Sequence, residues 1–296
     1  MNKKSPLVSV IVTTYNRKDY LKETIDSILN QTFTDFELIV VDNYSNYDFL
    51  NYMKSFNDVR IRAFQNQNNG IIAVNRNFGI KKARGEYIAF CDDDDLWYTD
   101  KLEKSVKYLL KYDIVYHPLD KFPTRRKIYN KTPVRRLKSP VSKDLLIRNN
   151  TLPASSVGVK KEIILKAGMF SEDSDLISVE DFDCWLKISL LTEKFHLIKK
   201  SLGMYRVNSN NNISPSEHNI KAMFKIYNKW FYILDTHNEL NYSKKVLYYQ
   251  LGSIYYKMGK NNEARYYFKN AIGTRNIPIC LKSLYGYIRI QLIGKN

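Results

Sequence analysis

The stretch Tyr87-Ile88-Ala89-Phe90-Cys91-Asp92-Asp93-Asp94-Asp95-Leu96-Trp97 decides how the chain is read. Its first half is a short apolar run of the kind found in strands buried on both faces. Its four aspartates pose a physical problem, because adjacent carboxylates repel one another and burying them unaided is very costly. A divalent cation removes the problem. Hard oxygen ligands suit Mg2+ or Mn2+, which also bridge phosphate oxygens, and Mg2+ takes only one or two protein carboxylates. One aspartate of the run can then ligate the metal while another bonds a sugar hydroxyl. The plain alternative is an acidic surface turn, and the buried strand before the run and Leu96-Trp97 after it argue against that.

Upstream of this stretch the pattern alternates. Val8-Ser9-Val10-Ile11-Val12 predicts a buried strand that ends in the turn Thr13-Thr14-Tyr15-Asn16. Tyr20, Leu21, Ile25, Ile28 and Leu29 have helical spacing over 18–30. Phe36-Glu37-Leu38-Ile39-Val40-Val41 predicts a second strand ending at Asp42-Asn43, and Val59 to Phe64 predicts a third. Asn68-Asn69-Gly70 is a turn, and 71–84 a helix that stops before Gly85. Strands alternating with helices predict an α/β fold with a mostly parallel, Rossmann-like sheet flanked by helices. Such sheets bind ligands at the carboxyl ends of their strands, where Tyr15, Asp42 and Asp92–Asp95 all fall.

A length of 296 residues suits one large domain or two smaller ones. The net charge of +17 is unevenly distributed. Residues 121–143 hold nine Lys or Arg and no acid, residues 217–296 hold thirteen against four, and the remainder carries a net −1. Basic surfaces of this kind attract nucleic acid, anionic headgroups or phosphorylated substrates, or are simply solvated. Cys91, Cys184 and Cys280 lie far apart without CxxC spacing, which implies neither a disulfide framework nor a zinc site and fits a reducing compartment. Met1 to Pro6 runs into the first strand without the apolar stretch of a signal peptide, and no apolar run approaches bilayer-spanning length. The expectation is a cytoplasmic protein, soluble or peripheral on the inner face of the cytoplasmic membrane.

From residue 217 the composition turns to Tyr, Lys and Asn and predicts helices. Leu251-Gly252, Tyr255, Gly259, Ala264, Phe268 and Ala271 have the spacing of one tetratricopeptide-type helix–turn–helix. Such repeats stack in threes, so a plain helical hairpin is the simpler reading. The last helix, from Ile279 to Ile293, mixes apolar residues with Lys282 and Arg289. A basic amphipathic helix of this type can lie on a membrane surface, or can combine core packing with a solvated face. The remaining acidic element is Glu180-Asp181-Phe182-Asp183 before Cys184 and an apolar stretch from Trp185. Acids in a first helical turn favour the helix dipole, and a carboxylate there can also take a proton from an acceptor hydroxyl.

Four ordered blocks carry a family resemblance. Val8 through Arg17 resembles the opening of the family 2 glycosyltransferases, which have the glycosyltransferase A fold. So do Asn30-Gln31-Thr32-Phe33 followed by Phe36 to Asp42, Asn75-Arg76-Asn77-Phe78-Gly79-Ile80, and Ala83 through Trp97. The match spans about residues 7–215. It implies a catalytic domain over 1–216, with the basic insert at about 121–143, and a helical extension over 217–296. It also implies residue roles. Thr13 and Tyr15 match positions that hold uracil, and Asp42 the carboxylate that accepts from the base N–H. Arg76 matches a basic residue near the nucleotide or its diphosphate. Asp92 and Asp94 match the outer members of the Asp-x-Asp motif, the first on ribose and the last on the metal, with Asp93 and Asp95 close enough to contribute and Asp92 as a second candidate metal ligand. Asp181 matches the general base, with Glu180 as its rival. The resemblance thus implies an inverting, Mn2+- or Mg2+-dependent enzyme that moves a sugar from a UDP-sugar to a hydroxyl of a glycan or lipid-linked saccharide in bacterial surface polysaccharide synthesis. One departure is Tyr205-Arg206-Val207-Asn208, with Asn208 where the family often has His. Arg206 remains a candidate diphosphate contact, or covers the edge of the core.

The other readings are weaker. A basic protein that binds nucleic acid or membrane without transferase activity fits the charge, but no nucleic-acid-binding motif is present and the acids sit at the ligand edge, so nucleic acid is not expected as a partner. A nucleotidyltransferase would carry a glycine-rich phosphate loop where Thr13-Thr14-Tyr15-Asn16 stands. A catalytically dead scaffold would not need the acids at 92–95 and 180–181.

Overall fold

The computed structural model describes residues 5–123, 130–207, 215–274 and 276–293. Asn208 and the middle of the basic insert, 124–129, lie outside the described residues. In chain order the elements begin with β1 (Val8–Thr14), α1 (Lys18–Leu29), β2 (Phe36–Asp42), α2 (Phe49–Lys54), β3 (Ile61–Gln65), α3 (Ile72–Lys82), β4 (Tyr87–Asp92), β5 (Leu96–Trp97), α4 (Lys101–Leu109), β6 (Ile114–Tyr116) and β7 (Asp120–Phe122). They continue with α5 (Val141–Arg148), β8 (Gly158–Lys160), α6 (Lys161–Lys166), α7 (Glu180–Ser189), β9 (Phe195–Leu197), β10 (Gly203–Arg206), α8 (Glu217–Trp230), α9 (His237–Lys257), α10 (Asn261–Ala271) and α11 (Ile277–Ile293). The chain divides into two compact units. One takes Met1–Leu137, Thr151–Glu172 and Lys187–Asn210; the other takes Lys138–Asn150, Asp173–Leu186 and Asn211–Asn296.

The first unit is built on a seven-stranded sheet of order β3-β2-β1-β4-β8-β6-β9. β1, β2, β3 and β4 pair in parallel, β8 runs antiparallel between β4 and β6, and β6 pairs in parallel with β9. The parallel centre follows from the sequence: every residue of β1 and β2 is buried, which only a strand covered on both faces can be. Successive side chains alternate between the faces. Val8, Val10, Val12, Leu38, Val40, Ala89 and Cys91 join a core with Leu21, Ile25 and Ile28 of α1 and Leu102, Val106 and Leu109 of α4. Ile11 faces the other way, against Gly79 of α3, where a Cβ would come within 2.7 Å of the Ile11 side chain. A larger residue there would push α3, and with it Arg76, off the sheet.

The chain runs outward from β1 to β3 and then returns to place β4 on the other side of β1. That reversal is a topological switch point, and it opens a crevice at the carboxyl ends of these strands. Register aligns the rim: Thr14 pairs with Asp42 and Thr13 with Asp92. The third strand starts later than its alternation suggests, because Val59 is 88% exposed and Arg60 folds back onto Asp58. A three-stranded sheet of order β5-β10-β7 was not predicted, its strands being only two to four residues long.

The second unit packs α9 against α10 as a helical hairpin. α9 begins with a capping box in which Thr236 and Glu239 satisfy each other's backbone N–H groups. Phe268 of α10 fills the hairpin with Ala264 and Ile290, and Gly252 lies so close that a Cβ would meet its ring at 2.8 Å. Asp183 is fully buried in α7 and accepts from Lys229 at 2.7 Å and Trp230 at 2.9 Å, fastening α7 to α8.

One group in the first unit opposes its own fold. Lys101 is fully buried, its Nζ lies 3.7 Å from the centre of the Trp97 ring, and it has no hydrogen-bond partner among the described residues. Burial lowers its pKa to about 7. The unfolded chain therefore holds a proton that the folded chain has released between about pH 7 and the ordinary lysine value of 10.5, so this group makes stability rise with pH across that window. Lys101→Met is expected to stabilise the protein at pH 7 by on the order of 1–3 kcal/mol and to flatten that rise. Thermal melts of both proteins from pH 6 to 10 check this, and parallel pH profiles would contradict it.

Candidate active site

The aspartate run occupies the turn between β4 and β5, on the crevice of the first unit. Asp93, Asp94 and Asp95 are buried there and Asp92 is half-buried. Two arginines and a set of hydrogen bonds hold the four together. Arg17, just before α1, donates to Asp93 at 2.9 Å and to Asp94 at 3.0 Å through the same nitrogen. Arg76, buried on α3, donates to Asp92 at 2.8 Å, with its guanidinium 5.4 Å from the centre of the Phe170 ring. The Thr14 hydroxyl donates to Asp93 at 2.7 Å, and the backbone N–H of Asp92 donates to the Ser155 hydroxyl at 3.0 Å.

The electrostatics follow from this packing. Burial pushes the Asp93 carboxyl up to about 6, a rise that Arg17 and Thr14 restrain. Asp95 stands well above the ordinary carboxylate range, because it is buried and close to Asp92. Its Oδ1 accepts the backbone N–H of Arg206 at 3.0 Å, whereas its Oδ2 has no hydrogen-bond partner among the described residues. Burial alone would lower the Arg17 pKa, but the neighbouring Asp93 and Asp94 outweigh it and raise it.

Arg206 braces the same turn. Its Nε donates to the Asp94 carbonyl at 2.9 Å and its Nη2 to Glu23 at 2.6 Å, while the guanidinium lies between the rings of Tyr20 and Phe122 at 4.5 and 4.4 Å. The close approach of β10 to β5 that delivers Arg206 requires Gly203, where a Cβ would fall 2.6 Å from the Leu96 carbonyl oxygen. In this arrangement Arg206 fixes the path of the aspartate turn.

On the other flank of the crevice, Tyr15 is 52% exposed and lines a cavity of about 350 Å3 with Asn43, Tyr44, Gln67 and Asn69. Thr13 is buried beside it at the end of β1. Asp42 is fully buried and accepts from the Ser45 hydroxyl at 2.5 Å, the Ser45 backbone N–H at 2.9 Å and Gln65 at 3.0 Å. Three donors fix its orientation.

The second unit holds Glu180 and Asp181 in the first turn of α7. Glu180 is buried and Asp181 half-buried. The Asp181 carboxylate accepts the Phe182 backbone N–H at 2.6 Å and Asn150 at 3.4 Å. A helix N-terminus favours negative charge at this position.

The first unit thus gathers Thr13, Tyr15, Asp42, Arg76, Arg206 and Asp92–Asp95 around one sheet edge. Sequence reading gave no role to Arg17, Thr14 or Ser155. Arg17 stood in a quoted motif, but nothing in one dimension indicates that it spans two carboxylates about 76 positions away. Among the described residues no group of three or more His, Cys, Asp or Glu side chains is arranged to hold a metal ion. A metal held by one or two aspartates, with a substrate diphosphate and water completing its shell, needs no such group.

Comparison with known proteins gives the family and the fold. The family model described as glycosyl transferase family 2 matches residues 9–163. An uncharacterized glycosyltransferase of Methanocaldococcus jannaschii is 32% identical over 255 residues, 83% of this chain and 85% of that one. The UDP-Glc:alpha-D-GlcNAc-diphosphoundecaprenol beta-1,3-glucosyltransferase WfgD of Escherichia coli is 29% identical over 182 residues, 62% of this chain and 69% of that one. Among solved structures, S. aureus TarS 1-349 in complex with UDP-GlcNAc has a TM-score of 0.65 at 18% identity, covering 96% of this chain and 81% of that one. The mannosyltransferase PcManGT of Pyrobaculum calidifontis, in complex with GDP-Man and Mn2+, has a TM-score of 0.57 at 17% identity, covering 97% and 88%. The fold is the glycosyltransferase A fold, and the chain belongs to glycosyl transferase family 2, as a glycosyltransferase.

Proposed function

We propose that this glycosyltransferase moves a sugar from a UDP-sugar to a hydroxyl of a lipid-linked or glycan acceptor, with inversion at the anomeric carbon, in surface polysaccharide synthesis. The observation that carries the reading is the convergence of Tyr15, Asp42, Arg76 and Asp92–Asp95 on the switch-point crevice beside the amide-lined cavity. A uracil ring fits a cavity with an aromatic wall and amide rims, and the Asp42 carboxylate, next in sequence to Asn43 of that cavity, is the acceptor for the base N–H in this reading. A UDP-sugar is named for the TarS complex and in the name of the Escherichia coli relative, which also names a diphosphoundecaprenol-linked acceptor.

In this reading Thr13, Tyr15 and Asp42 hold the base, Asp92 the ribose, and Arg76 approaches the diphosphate. Asp94 is the ligand for Mn2+ or Mg2+, with Asp92 the second candidate and Asp93 close enough to assist. These oxygen donors fit a hard cation, and Mn2+ is present in the PcManGT complex. The bound metal would supply electrostatic stabilisation of the departing diphosphate. Asp181, or Glu180 beside it, removes the proton from the acceptor hydroxyl. The acceptor oxygen then bonds to the anomeric carbon as the bond from that carbon to the diphosphate oxygen breaks, and UDP leaves with the electron pair. Arg17, which holds Asp93 and Asp94, offers a further cation to the diphosphate.

Three outcomes are expected. Asp94→Asn, or a chelator added to the unaltered enzyme, lowers donor turnover about 100-fold or more; a nucleotide-sugar hydrolysis screen with Mn2+ measures this, and unchanged turnover in both arms removes the metal role. Asp181→Asn lowers transfer by roughly 10²- to 10⁴-fold while UDP binding, followed by calorimetry, stays within about two-fold. Retained transfer would move the base to Glu180 or elsewhere. Arg17→Ala raises the donor KM about ten-fold or more, and Arg17→Lys recovers part of the loss; an unaltered KM would leave Arg17 as a structural clamp alone.

A further inference from the structure

α11 hides one side and leaves the other to solvent. Ile279, Ser283 and Ile290 are buried against the second unit, and a Cβ on Gly286 would meet the Phe268 ring at 2.8 Å. On the opposite side Ile277, Leu281, Leu284, Tyr285, Ile288 and Leu292 are between 41% and 68% exposed. At about 100° per residue these six side chains project within an arc of roughly 100°. They form a stripe that follows the helix for about 22 Å. A solvated face of a stable helix is ordinarily polar, and a continuous apolar patch of this kind marks an interaction surface.

Charge identifies the partner. Lys282 and Arg289 are exposed and project together along one border of the stripe, and the helix contains no acidic residue. The region 217–296 as a whole carries thirteen Lys or Arg against four acids. Two copies pairing through this face would bring together surfaces of the same sign, whereas an anionic lipid surface meets both features at once. No helix of the described residues is long and apolar enough to cross a membrane. A stripe on one side of a 17-residue helix with a cationic border suits a helix lying in the plane of the interface.

We propose that the exposed face of α11 seats the protein on an anionic lipid bilayer, with the six apolar side chains at the headgroup–acyl boundary and Lys282 and Arg289 on headgroup phosphates. This surface brings the enzyme to the lipid-linked acceptor, and for that purpose, though not for the binding itself, it rests on the reaction proposed above.

Vesicle co-flotation of the full chain at low salt tests it. The unaltered protein floats with phosphatidylglycerol-containing vesicles and several-fold less with pure phosphatidylcholine. Leu281→Asp combined with Ile288→Asp lowers partition at least about ten-fold. Lys282→Gln combined with Arg289→Gln lowers it roughly five-fold per charge and flattens the salt dependence. All four side chains face solvent, so both variants keep their circular-dichroism melts and their donor hydrolysis. Absence of flotation by the unaltered protein overturns the proposal, as does flotation of the aspartate variant at the unaltered level. A dimer that the aspartate variant dissolves, in place of vesicle binding, overturns it in favour of a second copy. Flotation without any nucleotide-sugar hydrolysis would sink the transferase reading and leave this one standing.

Discussion

Four adjacent carboxylates at the end of a buried strand form an arrangement that the rest of the first unit must compensate. Left alone, the run would push apart the turn between β4 and β5. Arg17 from the end of β1 and Arg76 from α3 bring opposing charge, while Arg206 from β10 donates its backbone N–H to Asp95 and braces the Asp94 carbonyl. Each needs its own device. Arg76 requires α3 to press on β1 at Gly79, and Arg206 requires the contact at Gly203. Burial raises the Asp95 and Asp93 carboxyls above the ordinary range, which shows how much of the repulsion the packing leaves in place. The acidic site is thus a product of the packing around it.

The sequence revealed the frame more fully than the contacts. β1, β2 and β4 announce themselves because a strand covered on both faces needs an uninterrupted apolar run, and Tyr15, Asp42 and Asp92 follow by lying where those runs end. β5, β7 and β10 carry no such signal, since two to four residues show no periodicity. The partners of the aspartates were hidden for another reason. Ion pairs between Arg17 and residues about 76 positions away depend on chain reversal, which local pattern does not encode. Arg206 was legible as a cation near the site, but its commitment to Glu23, Tyr20 and Phe122 was not.

The acidic patch on α7 illustrates a second limit. Glu180, Asp181 and Asp183 look alike in sequence, three acids in one helical turn. Asp183 is spent on Lys229 and Trp230 and serves the packing of α7 on α8. Asp181 is half-buried and accepts from the Phe182 backbone N–H and from Asn150. Neighbouring carboxylates on a helix point in different directions, so acids that look alike in sequence meet different partners.

The pairing of Thr14 with Asp42 and Thr13 with Asp92 has a further consequence, for how this chain can change over evolutionary time. Side chains alternate with a period of two, so a single-residue insertion inside β1 would turn Thr14 away from Asp93 and carry apolar residues to the wrong face at the same stroke. Insertions in the connections beyond the strand ends leave that alignment untouched. Lineages of this architecture are therefore free to lengthen and diversify their loops, while the strands that space the rim are held to a fixed count.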